Sequence, residues 1–433
     1  MDNQSQLCPS CSSIDFKSAF ALSDKKIAWM GVPIVATRKE VQADCILCLW
    51  VVARIFSDIN ANDRVAAVGQ IGYHFRAIGS QWVSKRPFGP GFKGNSDVVV
   101  AIVRGDSNHY SVDTAELLRA ISLGLILPLA QGSALQPSEI SGYRHYRGRI
   151  VNSLSPDFTR IRSWIDECHS SQSNCHWKCK SSRGNTSFQS RVIDCWTRQI
   201  VPLTQDLEYL ALSYVWGTAI DDENTQTSQT SGVVPSPAPQ TIEDAMSIAR
   251  DIGERYLWVD RYCIWRSENR HLQIQNMYEI YRNALSTIVP VEADSAGSGF
   301  RGVSSPRSNQ IRFWTNAGLL VFTFPHISYQ LILSIWLTRG WTYQEAFLSR
   351  SCIFFTEDQF YFACRSDYQS EDVEQAWFSL SDAYQETLEP KLFKYVDRLN
   401  EGYKSDSALV FYGLRQCIYK SIIDFRFRRA ECV

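Results

Sequence analysis

Tyr209-Leu210-Ala211-Leu212-Ser213-Tyr214-Val215-Trp216-Gly217 is an almost unbroken apolar run that stops at a glycine. A strand buried on both faces, as in a parallel sheet, has that pattern, whereas a half-exposed strand alternates. Residues 218–240 follow with Asp221, Asp222, Glu223, several Ser and Thr and three prolines, which predicts a long solvated loop. Thr241-Ile242-Glu243-Asp244 then offers a helix N-cap with an acid three residues on. Ile242, Ala245, Ile248, Ala249 and Ile252 share one helical face, and Gly253 supplies the stop. Tyr256 to Asp260 reads as the next strand. Ile274, Met277, Tyr281 and Ala284 mark a second helix, and Leu285 to Val291 a third strand. This alternation predicts an α/β fold with a parallel sheet and crossover helices.

Working outward, Leu319 to Phe324 reads as a strand and Tyr329 to Leu337 as an apolar helix. Ser351 to Thr356 and Gln359 to Cys364 form a hairpin turning at Glu357-Asp358. The main sheet is therefore assigned to residues 206–365. Residues 366–433 read as a helical C-terminal segment through Trp377, Leu380, Leu392, Leu399, Leu409 and Leu414. Residues 1–150 read as a small α+β module, with strands at 68–77 and 97–103, a Gly/Pro loop at Gly89, Pro90, Gly91 and Gly94, and a helix at 114–125. Residues 151–205 connect the two. They contain a helical stripe (Ile161, Trp164, Ile165) and then Cys168-His169, Cys175-His176 and Cys179, whose irregular spacing fits a loop better than a metal finger.

Two C-x-x-C pairs stand in the N-terminal module, Cys8-Pro9-Ser10-Cys11 and Cys45-Ile46-Leu47-Cys48. Each such turn points two thiolates at one ion, and four soft ligands satisfy a structural zinc. The gap between the pairs is longer than in common zinc sites. A second reading places Cys45 and Cys48 on a buried helical face continued by Val52 and Ile55. Both remain open on spacing alone, but four filled positions argue against a catalytic zinc.

Lys plus Arg (44) nearly balances Asp plus Glu (45), so no basic footprint for nucleic acid or an anionic membrane is present. The N-terminus lacks a signal-peptide pattern. The apolar runs near Ile46 to Ile55 and Ile121 to Ala130 are shorter than the roughly 18 residues of a membrane span. The expectation is an intracellular, cytoplasmic protein without a membrane span, its 13 cysteines reduced or metal-bound rather than paired in disulfides.

Ligands of open parallel sheets bind at the carboxyl ends of the strands. Ser213, Trp216 and Asp260 belong to that edge. Glu345 lies in an aromatic-rich run, a setting that raises a carboxyl pKa toward general acid/base use. The bland alternatives are a cap or fold ion pair for Asp260, and a buried acid fixing Arg339 or a backbone amide for Glu345.

Five blocks in order resemble the fungal heterokaryon incompatibility (HET) domain. They are Leu212–Gly217, Thr241–Ala245, Leu257–Asp260 with Cys263-Ile264, Met277–Tyr281 with Ala284, and Arg339–Glu345. The pattern departs after Cys263-Ile264, where relatives usually carry a Gln and acids and this chain has Trp265-Arg266-Ser267-Glu268. The resemblance implies nonself recognition ending in regulated cell death, through self-association or a protein partner. HET domains in turn look distantly like Toll/interleukin-receptor (TIR) domains, which have a flavodoxin-like fold and some of which cleave NAD. Leu212-Ser213-Tyr214 resembles the TIR first-strand signature, and Trp341 with Glu345 resembles the TIR Trp-Cys-x-x-Glu segment. By that resemblance Glu345 is the catalytic residue, Trp216 and Trp341 wall the pocket, Ser213 and Asp260 line it, and NAD is the substrate.

Overall fold

The computed structural model describes residues 7–22, 32–56, 60, 62–79, 98–105, 114–129, 147–170, 189–217, 228, 230–265, 270–339, 345–346, 348–364 and 368–374. The expectations placed on the loop at 80–97, on Cys175 to Cys179, on residues 218–227, on Arg266, on Trp341 and on the C-terminal helices lie outside these residues. The chain divides into two compact units. One comprises Met1–Val151, Asn309–Tyr329 and Ser370–Ala376, the other Asn152–Ser308, Gln330–Gln369 and Trp377–Val433.

The second unit is built on a sheet of eight strands. Four of them, Tyr209–Leu212, Tyr256–Trp258, Thr287–Pro290 and Ser351–Phe355, run parallel. Numbered in chain order, these four stand in the spatial order 2-1-3-4. Phe360–Cys364 adds antiparallel to the fourth, and Arg191–Asp194 adds antiparallel to the second. Segment 151–205 is thus more than a connection, because its strands Arg191–Asp194 and Ile200–Pro202 extend this sheet. The first and third parallel strands are buried at every position, which is why their sequences are continuously apolar. The first strand closes at Leu212, earlier than its apolar run suggests. Ser213 N–H still donates to Ile288 O at 3.0 Å, and the chain then turns away to Gly217.

The helix Gln240–Ile252 covers the sheet with Ile242, Ala245, Ile248, Ala249 and Ile252, none more than 2% exposed. Burying each isoleucine contributes about 2 kcal/mol. The helix ends as expected, with Gly253 left-handed at φ +93°. Its start differs from the sequence reading. The N-cap residue is Pro239, and the first-turn acceptor is Glu243, which takes Ala238 N–H at 2.6 Å and pairs with Arg198. Thr241 and Asp244 instead hold the segment after the third parallel strand. Gly299 N–H donates to Thr241 Oγ1 at 3.1 Å, and Phe300 N–H donates to Asp244 at 2.6 Å. A cap and a cross-segment tether use the same residue types, so local pattern does not separate them.

The helix Phe158–His169 is capped by Asp157 and sets Trp164 against Phe360 and Phe362 at 5.5 and 6.3 Å between ring centres. The second crossover is broken at Asn276 into helices Arg270–Gln275 and Met277–Asn283, with Tyr281 edge-on to Trp258 at 5.5 Å. The hairpin expected at Glu357-Asp358 forms, pairing Phe355 with Phe360.

The first unit holds a six-stranded antiparallel sheet, in spatial order Val32–Pro33, Tyr73–Gly79, Val98–Arg104, Ile126–Pro128, Gly318–Phe322, Arg312–Thr315. Two sequence readings change here. Residues 64–71 are helical and the strand begins only at Tyr73, after Gly72 at φ +78°. The strand read at 319–324 pairs with Ile126–Pro128, so it joins this sheet and not the parallel one. Its apolar run satisfies either sheet, and only the long-range hydrogen bonds choose. Among the described residues, no helix is long and apolar enough to cross a membrane.

Gly217 sits at φ +76°, and a Cβ added there would lie 2.7 Å from the Ser295 Cβ. Left-handed strain and forced repacking act together. Gly217→Ala is expected to destabilise the second unit by about 2–4 kcal/mol in urea unfolding. An unchanged midpoint would show that the turn carries no such constraint.

Candidate functional site

At the carboxyl end of the first parallel strand, Ser213 is 1% exposed and its hydroxyl donates to Glu345 Oε2. The two residues lie 132 positions apart in the chain. The same serine oxygen accepts from the Trp336 indole Nε1 at 2.9 Å. Trp336 is itself fully buried and stands edge-on to Phe354. Glu345 is 4% exposed, and burial pushes its carboxyl up to about 7 against the opposing pull of the Ser213 hydrogen bond, with the Asp260 charge raising it further.

Asp260 opens the short helix Asp260–Cys263 just beyond the second parallel strand. Its carboxylate accepts Trp216 Nε1 at 2.9 Å and Arg261 N–H at 2.7 Å. The residue keeps part of its surface open, yet the protein packed around the carboxylate pushes it up to about 6, partly offset by those two donors. The Arg261 guanidinium lies over the Trp216 ring at 5.1 Å, a cation–π distance. Arg339 donates to the Tyr214 carbonyl and draws both carboxyls down electrostatically.

Four of the five residues expected on this edge are therefore in two bonded pairs, Ser213 with Glu345 and Trp216 with Asp260, coupled through the two carboxyls. Trp341 lies outside the described residues. Trp336 was not singled out by the sequence, because it sits in an apolar run that reads as ordinary core. The arrangement places two carboxyls of raised pKa within electrostatic reach of one another, which suits proton transfer or stabilisation of a developing positive charge.

A cavity of about 380 Å³ opens nearby in chain terms, where the third and fourth parallel strands end. It is lined by Pro290, Glu292, Asp294, Phe300, Arg301 and Glu357 among others, and by none of the four residues above. Its carboxylates stand at an open rim, and the buried pair at Ser213 and Glu345 carries the stronger perturbation.

In the first unit the sulfur atoms of Cys8, Cys11, Cys45 and Cys48 lie within 4.8 Å of one another. Cys48 Sγ is 3.9 Å from Cys8 Sγ and 3.7 Å from Cys11 Sγ. Four thiolates around a metal at about 2.3 Å stand about 3.8 Å apart, so these cysteines could hold a metal ion. Each pair straddles a helix start, with Cys8 preceding Pro9–Ser12 and Cys45 preceding Ile46–Trp50. The hydrogen bond from Cys11 holds Cys48 down to about 5 against its burial, while the same contact raises Cys11. Arg38 donates to Cys11 Sγ at 3.6 Å, a cation beside the sulfurs. Cys45 and Cys48 are also buried, so the two sequence readings of this pair are compatible.

The second unit is thus an α/β module with the buried Glu345 and the partly buried Asp260 gathered at the carboxyl end of its parallel strands. The family described as Heterokaryon incompatibility protein (HET) matches residues 209–345, from the first residue of the first parallel strand to Glu345 itself. That match points to a function related to heterokaryon incompatibility and leaves residues 1–208 and 346–433 outside it. No curated protein and no solved structure matches the chain.

Proposed function

We propose that the protein is an effector or signalling component of nonself recognition in a fungus, triggering regulated cell death through its HET module. The family match over residues 209–345 carries this reading. Partner binding or self-association through that module is part of it.

A catalytic version is favoured by one observation, the buried Ser213–Glu345 contact, on which the Asp260 charge also acts. In this version the module cleaves NAD. The 2-1-3-4 order of the parallel strands is that of the first four strands of flavodoxin-like sheets, which supports the TIR-like comparison at the level of fold. As the nicotinamide–ribose bond breaks, nicotinamide leaves with the electron pair and positive charge develops on the ribose. An ionised Glu345 stabilises that centre, and water then supplies hydroxide to the ribose carbon and a proton to a base. Purified, concentrated protein incubated with NAD is expected to release nicotinamide. No release even when the protein is clustered would leave the signalling reading and remove the catalytic one.

We also propose that the four cysteines hold a structural zinc. Two of their separations, 3.9 and 3.7 Å, are those of a tetrahedral sulfur set, all four sulfurs lie within 4.8 Å of one another, and all four positions are filled by protein. Zinc there would tie the two C-x-x-C turns together across residues 12–44. Elemental analysis of the purified protein is expected to find about one zinc per chain. Folded protein without bound metal would end this proposal.

A further inference from the structure

We propose that Trp336 is a positioning residue for Glu345, acting through Ser213. The inference rests on reading Glu345 as the working acid, but its geometry is independent of any substrate. An indole N–H can only donate, so at 2.9 Å the Ser213 oxygen must accept from it. A serine has one proton. With the indole occupying an acceptor position, the hydroxyl proton is free to point at Glu345 Oε2, which accepts it when ionised. The indole, which can only donate, fixes the first bond, and the ionised carboxylate, which can only accept, fixes the second. Without the indole, the serine rotor could turn away, and Glu345 would lose a fixed donor.

Chained donors polarise one another, so the indole also makes the serine a stronger donor to the ionised carboxylate. The Asp260 carboxylate and the Arg339 guanidinium act on Glu345 by charge, and Glu345 in turn raises the buried Tyr281 phenol, which stays neutral. Ser213 is the hydrogen-bond contact through which Trp336 reaches it. The packing of Trp336 is separable from its N–H, because the ring stands edge-on to Phe354 at 5.9 Å and a phenylalanine keeps that face.

The test titrates the Glu345 carboxyl directly by isotope-edited infrared spectroscopy on the full chain, with Glu345→Gln identifying the band. No NAD is present, so a negative result on NAD cleavage leaves this measurement untouched. Trp336→Phe is expected to strengthen proton binding at Glu345 about three- to ten-fold, and Ser213→Ala by at least as much. In the Ser213→Ala background, Trp336→Phe should add nothing further, since the link is already cut. An unmoved titration in a folded Trp336→Phe protein would overturn the relay. So would an equal shift in both backgrounds, which is the mark of a general packing effect. Should Trp336→Phe fail to fold, the Trp336 indole N–H resonance in nitrogen-15-labelled protein gives a second readout. It should move with the Glu345 titration and cease to do so in Ser213→Ala. A resonance indifferent to that titration would equally overturn the proposal.

Discussion

Glu345→Gln is expected to flatten the pH dependence of stability in the second unit and to make that unit more stable at neutral and alkaline pH. In the folded protein the carboxyl is raised from 4.5 to about 7, chiefly by burial. Between those values the unfolded chain has released its proton while the native state still holds one. Stability therefore falls as pH rises through that window, by up to about 3 kcal/mol from this group. Glutamine still accepts the Ser213 hydroxyl and carries no charge to desolvate, so the variant lacks this slope. Glu243, held below its usual range by Arg198, contributes the opposite slope, which is present in both proteins and cancels in the comparison. Urea unfolding of the two proteins at a series of pH values checks this, and parallel curves would mean that Glu345 is not a buried, raised acid. If the module cleaves NAD, the same substitution should lower nicotinamide release by about 10²-fold or more, because the neutral amide cannot stabilise the ribosyl cation. A gain in stability with a loss of turnover is the expected signature of a strained working acid.

Cys48→Ser should empty the metal site and destabilise the first unit by an amount on the order of 5 kcal/mol. Cys48 Sγ is within 3.9 Å of both Cys8 and Cys11 sulfurs, so the substitution removes a sulfur that faces two of the other three. Metal binding to zinc-finger peptides supplies about 10–16 kcal/mol of apparent folding energy. The loss here should be smaller, because the unit also has an antiparallel sheet and an apolar core that extends beyond the cysteines to Phe75, Trp50, Phe313 and Phe322. Chelation of the wild-type protein should reproduce the substitution, whereas Cys352→Ser, buried in the second unit, should retain the metal. Thermal melts and metal content measured together decide it. An unchanged melt in Cys48→Ser with metal still bound would remove the four-cysteine centre.

Much of the second unit was legible before any coordinates. Its strands are buried on both faces, so their apolar runs, glycine stops and crossover helix can be read one segment at a time. The HET-like blocks lie on those same segments, and the C-x-x-C pairs announce themselves by spacing. What the chain alone left open were choices between distant partners of similar chemistry. Residues 319–322 are as apolar as any central strand, yet hydrogen bonds to residues 126–128 assign them to the antiparallel sheet. Thr241 and Asp244 look like a helix cap and instead hold residues 299–304. Trp336 looks like core and instead donates to Ser213, which meets Glu345 only because the sheet brings the end of one strand to a helical residue far along the chain. Periodicity reports which face of a segment avoids water. It carries no information about which donor meets which acceptor, and that pairing is decided when the layers close.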